Sequence, residues 1–392
     1  MRSSLVALIC APLLLVAWLW ACTRAPAPAA APANPVHLDA PPPVAGRAGA
    51  FSAERAWADL TALVAVGPRG MGTPGSERAR GYIAEQLQSL GIEPELQPAG
   101  VMMASDVGSK AELVNLCATI PGGSEDLIVL AAPYDSASRD GIEGVGANQG
   151  ASGAALLLEL ARVIAAEPLA YTVQVCFFDG EALLASETAG DAGIGLLGSR
   201  ASVEELRQRN QLARIRLLIY FDRVSDADLR IARDRASHRI HRNAIWRAAA
   251  ALGYTDAFPP DIGFEAPVAG HRSFIDHGMR RAVAIIDPHF GAGELGDTLE
   301  NSSRDSLRTV GRVTLYALEG ITRRLAKIDR FSEAPTFDES AAEAASGPEP
   351  DAATSPAPTE LEAAEPLPVE PNAAAEPDPS DGPLPVEEPV AP

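Results

Sequence analysis

Two acidic side chains, Glu181 and Asp222, each follow an apolar run that is typical of a buried β-strand. Residues 171–178 are rich in β-branched and aromatic side chains, and the polar turn after them presents Glu181. A similar run at 215–221 ends at Asp222. In an open α/β sheet, catalytic and binding groups gather at the carboxyl ends of the strands. We therefore predict that these carboxylates share a site, the alternative for the first run being a polar turn after a core strand.

Alternating apolar runs and amphipathic segments predict the elements that position these residues. Strands are predicted at 92–97, 112–120, 126–132, 171–178, 215–221, 228–233 and 282–286. Helices are predicted at 51–66, 76–90, 152–165, 199–211, 240–252 and 303–328, the last with Ser302 and Asp305 spaced as a capping box. This alternation predicts an α/β three-layer sandwich around a mixed, mostly parallel sheet, whose first strand pair is antiparallel at one edge.

The amino-terminal residues 1–22 predict an export signal. Arg2 precedes an apolar run that ends in Leu-Trp-Ala-Cys, which resembles the lipobox of bacterial lipoproteins with Cys22 as the lipidated residue. Cleavage by an ordinary signal peptidase and retention as a membrane anchor are the alternatives. All three place the rest of the chain outside the cytoplasm, either anchored to the membrane in the cell envelope or free in the periplasm or medium.

Composition separates a folded region, residues 51–331, from both ends of the chain. Residues 23–50 are rich in Pro and Ala and predict a semi-rigid linker. Residues 332–392 hold 15 acidic residues without Lys or Arg, so they account for most of the net charge of −20 and predict a disordered tail.

No basic patch is interleaved with aromatic residues, so we expect no nucleic-acid binding. Cys117 and Cys176 lie in predicted strands, either as a disulfide or as two buried thiols.

Eight motifs occur in an order that resembles one family: GPRGMGTPGSERARGYIAEQL, LIVLAAPYDS, GANQGASGAALLLELARV, VCFFDGEA, LGSR, YFD, HRSFIDHGM and DTLENSSRDSL. The sequence resembles the co-catalytic zinc aminopeptidases and their relatives, the glutaminyl-peptide cyclotransferases, over nearly all of residues 51–326. GANQGASG and FFDGE favour the cyclotransferase-like branch. The resemblance implies a mixed sheet of about eight strands with helices on both faces, and a site at the carboxyl ends of its central strands.

The same resemblance implies that most of the family's metal ligands are replaced here. Glu181 keeps the position of the general base and Asp222 that of one ligand, whereas the other ligand positions fall on Pro133, Gln149, Ala182 and Gly293. A catalytic zinc site uses three His, Cys or carboxylate ligands, and a neutral amide is a poor substitute. We therefore expect no zinc, unless Asp222 and a re-threaded His289 rebuild the site.

Without a dication, the two carboxylates would repel each other, and one should have a raised pKa. Arg223 could supply positive charge, as could Arg200, although Arg223 could equally face away because successive strand residues point to opposite sides. Together with Gln149 and His271, Arg223 is predicted to line a substrate pocket.

Three functions follow from these residues. The first is a metal-free pseudoenzyme that binds the amino termini of peptides or proteins through Glu181 and Asp222. The second is an active zinc-dependent glutaminyl cyclase or aminopeptidase with a rebuilt metal site. The third, a metal-free enzyme using the two carboxylates as an acid–base pair, ranks last because it lacks a Lewis acid for amide chemistry.

Overall fold

A six-stranded mixed sheet forms the centre of the fold in the computed structural model, which describes residues 44–102, 110–139, 142–182, 195–260, 269–288 and 296–332. The predicted signal peptide with Cys22, the positions Gly293 and His289, and residues 333–392 of the predicted tail lie outside the described residues. The described fold confirms the predicted α/β class with helices on both faces of the sheet.

The strands of the sheet are β1 (Pro94–Met102), β2 (Lys110–Ile120), β3 (Leu127–Pro133), β4 (Thr172–Phe178), β5 (Ile215–Asp222) and β6 (Ala282–Ile286). Their order is β1-β2-β4-β3-β5-β6. β1, β2 and β4 pair antiparallel at one edge, whereas β4, β3, β5 and β6 are parallel. All of β3 and β6 is buried, because parallel strands covered on both faces carry continuous apolar runs.

The described sheet has six strands rather than the expected eight or so. The predicted strand at 228–233 is wrong, because its backbone hydrogen bonds do not form a ladder with another strand. The Ile231 amide donates to the carbonyl oxygen of Ala257 at 2.9 Å, and the isolated bridge nearby joins Asp226 to Ser302. Two short strands, Ser138–Arg139 and Ile142–Glu143, pair outside the central sheet.

The helices are α1 (Gly46–Ala50), α2 (Ala53–Ala65), α3 (Pro74–Gln88), α4 (Ser152–Ala166), α5 (Leu197–Gln208), α6 (Arg239–Ala251), α7 (His271–Asp276) and α8 (Arg304–Ser332). One face of the sheet packs against α2, α3, α4, α6 and α8, and the other against α5 and α7. Residues 147–166 are long and apolar enough to cross a membrane, but 78% of the relevant window is buried inside the fold, so α4 serves as a core helix.

Two boundaries differ from the prediction. The folded region begins before residue 51, because α1 lies inside the predicted linker with Ala48 buried and Arg47 bonded to the carbonyl oxygens of Glu167 and Pro168. The last helix is capped by Ser303, whose hydroxyl accepts from the amide of Asp305, rather than by Ser302.

Cys117 and Cys176 form a disulfide, which selects one of the two alternatives open to the sequence. The two residues are direct partners in the antiparallel pairing of β2 and β4, with Cα atoms 4.2 Å apart. The bond therefore fixes the register of the strand that leads into Glu181.

Candidate functional site

The carboxyl ends of β3, β4 and β5 bring a group of carboxylates to one edge of the sheet. Asp135 follows β3, Asp179 and Glu181 follow β4, and Asp222 ends β5. Because these strands are parallel neighbours, their ends lie side by side, and the charges of Asp222 and Asp135 interact with that of Glu181. The structure thus brings Glu181 and Asp222 together as predicted, and adds Asp135.

Glu181 sits at the centre of this group, on a turn that begins with Gly180 at a φ of +65°. A left-handed residue at this point favours glycine. The carboxylate of Glu181 accepts a hydrogen bond from the Ser199 amide at 2.7 Å and one from the Tyr220 hydroxyl at 3.2 Å. Burial raises the pKa of Glu181 to about 7, outweighing these hydrogen bonds, and the charge of Asp222 adds to the rise. Glu181 can therefore exchange a proton near neutral pH.

Asp135 and Asp222 each have one buried oxygen without a hydrogen-bond donor among the described residues. The Oδ2 atom of Asp135 accepts from the Ala182 amide at 2.9 Å, while its Oδ1 is unpaired. Burial raises the pKa of both carboxyls, which neighbouring acids raise further. Buried acceptors of this kind usually meet a donor, so the site presents two oxygens to a cation or an N–H group. Asp135 belongs to the quoted motif LIVLAAPYDS, which is the only sequence signal that could have identified it.

Arg223 turns back towards Asp222, with its Nε atom 3.9 Å from Oδ2 of the carboxylate. The backbone of Arg223 adopts a left-handed conformation with a φ of +53°, which is uncommon for residues other than glycine and asparagine. The positive charge of Arg223 lowers the pKa of Asp222 against the larger effect of burial. Of the two orientations that the sequence left open, the structure shows the one that faces the site.

Gln149 lies in a π-turn, Ala147–Ala151, that leads into α4. Its backbone amide donates to Asp297 Oδ2 at 2.9 Å, and the amide of Asn148 donates to the other oxygen of the same carboxylate. The turn is therefore held in place through its backbone. Asp297 also interacts electrostatically with Asp222, so the backbone of Gln149 lies near the carboxylates, and a substrate contact by its side chain stays a prediction.

His271 lies behind the site rather than on its surface. Its side chain is 1% exposed, with Nε2 3.3 Å from Oδ2 of Asp234, and its ring centroid is 6.3 Å from that of Tyr220. Tyr220 in turn donates to Glu181, so His271 lies behind Tyr220 rather than among the carboxylates. The sequence could not show this because the partner Asp234 comes from an irregular segment of the chain.

Arg69, which lies in the first of the quoted motifs, is a residue that sequence reasoning missed. Its guanidinium is fully buried and donates to the backbone carbonyls of Tyr134, Val145 and Gly146 at 2.6–2.9 Å. Burial lowers the pKa of Arg69 to about 10, while the charges of Asp135 and Asp297 oppose the change. The hydrogen bonds of the Arg69 side chain thus link the loops that carry the site.

The donor set at the described ligand positions does not suit zinc. Pro133 and Ala182 have no donor atom in their side chains, and Gln149 has only a neutral amide. Among the described residues, no group of three or more His, Cys, Asp and Glu side chains is arranged to hold a metal ion. Asp222 alone keeps a carboxylate at a described ligand position, with Glu181 at the position of the general base, whereas a catalytic zinc ion takes three protein ligands.

Comparison with known proteins supports the family suggested by the motifs. The Drosophila melanogaster glutaminyl-peptide cyclotransferase is 28% identical over 166 residues, which are 41% of this chain and 46% of that protein. A glutaminyl cyclase from an Acidobacteriales bacterium has a similar structure, with a TM-score of 0.60 and 27% identity over 70% of this chain and 96% of its own. A Zn-dependent exopeptidase from Parabacteroides distasonis shares the fold, with a TM-score of 0.61 and 24% identity over 69% of this chain and 98% of its own.

The chain spans less than half the length of the Drosophila relative in that match. The model of Peptidase family M28 covers residues 115–318, which is more than half of the chain and includes the strands that carry Glu181 and Asp222. The chain therefore belongs to peptidase family M28, with glutaminyl cyclases and zinc exopeptidases as its structural relatives.

Proposed function

We propose that this protein is an exported, catalytically degenerate member of its family that binds the amino termini of peptides or proteins without zinc. The observation that carries the proposal is the pair of buried, unpaired oxygens on Asp135 and Asp222 beside Glu181. The relatives include glutaminyl-peptide cyclotransferases, whose name specifies a peptide with an amino-terminal glutamine. The carboxylates, without the family's zinc ligands, would still offer acceptors to such a chain end.

An α-ammonium group matches this carboxylate group chemically. It carries a positive charge and three N–H donors, and hydrogen bonds between charged partners are the stronger ones in proteins. Asp135, Glu181 and Asp222 supply the acceptors, and a bound cation would favour their ionised forms. Binding would therefore lower the raised pKa values and release protons.

The binding should be strongest in a narrow pH range. Below the Glu181 pKa of about 7, the carboxyl is protonated and loses its charge. Above about 8, the peptide's own α-amino group becomes neutral, since its usual pKa is about 7.7–8.0. We expect affinity to be highest between these two values.

Export, and attachment to a membrane through a lipid on Cys22, belong to the same proposal. They are supported by the sequence of residues 1–22. A binding protein outside the cytoplasm would meet the amino termini of exported or extracellular peptides.

A zinc-dependent glutaminyl cyclase or aminopeptidase is the second candidate, and one observation favours it. Glu181 occupies the position of the family's general base, and a carboxyl with a pKa of about 7 suits proton transfer at neutral pH. This function requires metal ligands from residues outside the described ones, such as His289. It would be excluded if the purified full chain held far less than one equivalent of zinc after desalting from zinc-containing buffer.

The test is a calorimetric titration of the full chain with two peptides that differ only at the amino terminus. One begins with a free glutamine and the other with its N-acetylated form. We expect saturable binding of the free form at pH 7.5, unchanged by a chelator, and a loss of roughly ten-fold or more for the acetylated form and for Asp222→Asn. Glu204→Gln, on the exposed side of α5, is the matched control and should bind normally.

Two results would overturn the proposal. Equal binding of the free and acetylated peptides would show that the ammonium group is not recognised. Zinc-dependent conversion of the peptide to its cyclised or shortened product, seen by mass spectrometry, would show an active enzyme instead.

A further inference from the structure

A second concave surface lies at the opposite end of the sheet from the carboxylate site. It is a groove of about 680 Å³ between α6 and α8. Arg216 at the start of β5 and Arg281 just before β6 contribute to its lining, so it lies at the amino ends of the parallel strands. The candidate site lies at their carboxyl ends, and the two are therefore separate.

Small residues on both helices leave this groove open. α6 contributes Ala244, Ala248 and Ala251, and α8 contributes Ala317 and Gly320. A Cβ atom placed on Gly320 would meet nothing within 4 Å, so the space above the helix is unfilled. Apolar pockets of roughly 300–1,000 Å³ are typical of sites for small molecules.

The groove also carries an excess of positive charge, although Asp329 at its edge interacts electrostatically with both Arg216 and Arg281. None of the described residues that line it is acidic. Arg216 is paired with Asp126 and Asp329, whereas Arg281 and Arg324 make no ion pair with any described residue. Arg247 on α6 likewise lacks an ion pair in the described part of the chain.

The positive charge of the groove lowers the pKa of its two histidines. Burial, the neighbouring His238, and the charges of Arg281 and Arg324 lower the pKa of His241 to about 4. Burial and Arg281 likewise lower the pKa of His238. The rings lie 4.5 Å apart and are neutral at pH 7, so the arginines alone provide the charge.

We propose that this groove binds a long-chain fatty-acid anion, with the acyl chain over the alanines and Gly320 and the carboxylate against Arg281 and Arg324. Arginine pairs with carboxylates in a two-pronged geometry, and apolar burial drives the chain into the groove. A lipid with two acyl chains would need more room than a site of this size usually offers. Nine of the sixteen described lining residues are alanine, glycine, isoleucine or leucine, which suit an acyl chain and offer no side-chain hydrogen bond to a peptide backbone.

The test uses the full chain and a fluorescent polyunsaturated fatty acid as the probe, displaced by oleate. We expect saturable one-to-one binding, displacement by oleate and much weaker displacement by octanoate. The double variant Arg281→Gln/Arg324→Gln should weaken binding by roughly ten-fold or more. Arg323→Gln is its control, because the Arg323 side chain bonds to the Glu319 carbonyl of its own helix.

A second variant tests the groove by filling it. Gly320→Leu should abolish binding and retain the fold, because the added side chain enters open space. Gly81→Leu on α3 is the matched control, since a Cβ there also meets nothing within 4 Å. If Gly320→Leu does not fold, the arginine variant still decides the question.

Several outcomes would overturn the proposal. Absence of saturable binding, or normal binding by both groove variants, would exclude a fatty-acid site. Displacement of the probe by polyglutamate but not by oleate would indicate an acidic protein partner. A wild-type dimer that Gly320→Leu converts to a monomer, without oleate binding, would show that the groove is an interface between copies.

Discussion

Replacing Glu181 with glutamine should stabilise this protein at neutral and higher pH and leave it unchanged in acid. Glutamine keeps the size of the side chain and can keep both contacts. Its oxygen can accept from the Ser199 amide at 2.7 Å, and its NH₂ group can face the Tyr220 hydroxyl at 3.2 Å. What the substitution removes is the negative charge, whose burial raises the pKa of Glu181.

The magnitude follows from the difference in pKa between the folded and unfolded states. The pKa of Glu181 rises from 4.5 to about 7 on folding. The protonated carboxyl therefore contributes stability that is fully present below pH 4.5, is lost as the pH rises towards 7, and stays lost above it. At about 1.4 kcal/mol per pKa unit, the free energy of unfolding of wild type falls by about 3 kcal/mol over this range. The variant has no charge at this position, so its stability does not fall for this reason.

The assay is urea denaturation of the full chain at intervals from pH 4.5 to 8. The free energy of unfolding of Glu181→Gln minus that of wild type should grow from near zero to about 3 kcal/mol. Glu300→Gln, at an exposed position, is the control and should show no such trend. A difference that is independent of pH, or that shrinks as the pH rises, would refute the argument that a buried charge limits stability here.

Three further predictions concern the residues that hold the site together. Arg69→Lys should lower the free energy of unfolding by about 3 kcal/mol or more in urea denaturation. One ammonium group cannot donate to all the carbonyl oxygens that the guanidinium reaches. An unchanged denaturation midpoint would contradict this. Gly270→Ala should weaken peptide binding, because the new Cβ would lie 2.4 Å from the Tyr220 ring and 2.7 Å from Glu181 Oε2, whereas Gly81→Ala should bind normally in the same titration. Replacing Cys117 and Cys176 with alanine should lower the free energy of unfolding by about 2–4 kcal/mol, as expected for a cross-link over 59 residues. The same loss should appear when wild type is denatured in the presence of a reductant. Equal stability with and without reductant would argue against the disulfide.

The sequence alone was enough to predict the fold class. Apolar runs such as 171–178, 215–221 and 282–286 recur between amphipathic helices, and hydrophobic period is the feature that most directly reflects burial. The strand that leads to Glu181 and the one that ends at Asp222 were both located by this pattern. Their convergence also followed from sequence, because parallel strands end at the same edge of a sheet.

The sequence was less informative where the backbone is irregular. The segment 228–233 has the composition of a strand, but its hydrogen bonds go to scattered partners, which no local pattern reveals. The linker composition at 46–50 likewise concealed a short helix, because its stability comes from contacts made by Ala48 and Arg47 with distant parts of the fold.

The tertiary structure alone decided how the site is built. Only the fold shows that Asp135 joins Glu181 and Asp222, that Arg69 binds the carbonyls of two loops, and that His271 lies behind Tyr220. The pairing of Cys117 with Cys176 also depended on the strand order, since neither spacing nor composition specifies a register. The physical reason is common to all of these cases: hydrophobic pattern is a local property of the chain, whereas burial, charge proximity and buried hydrogen bonds arise between residues far apart in sequence.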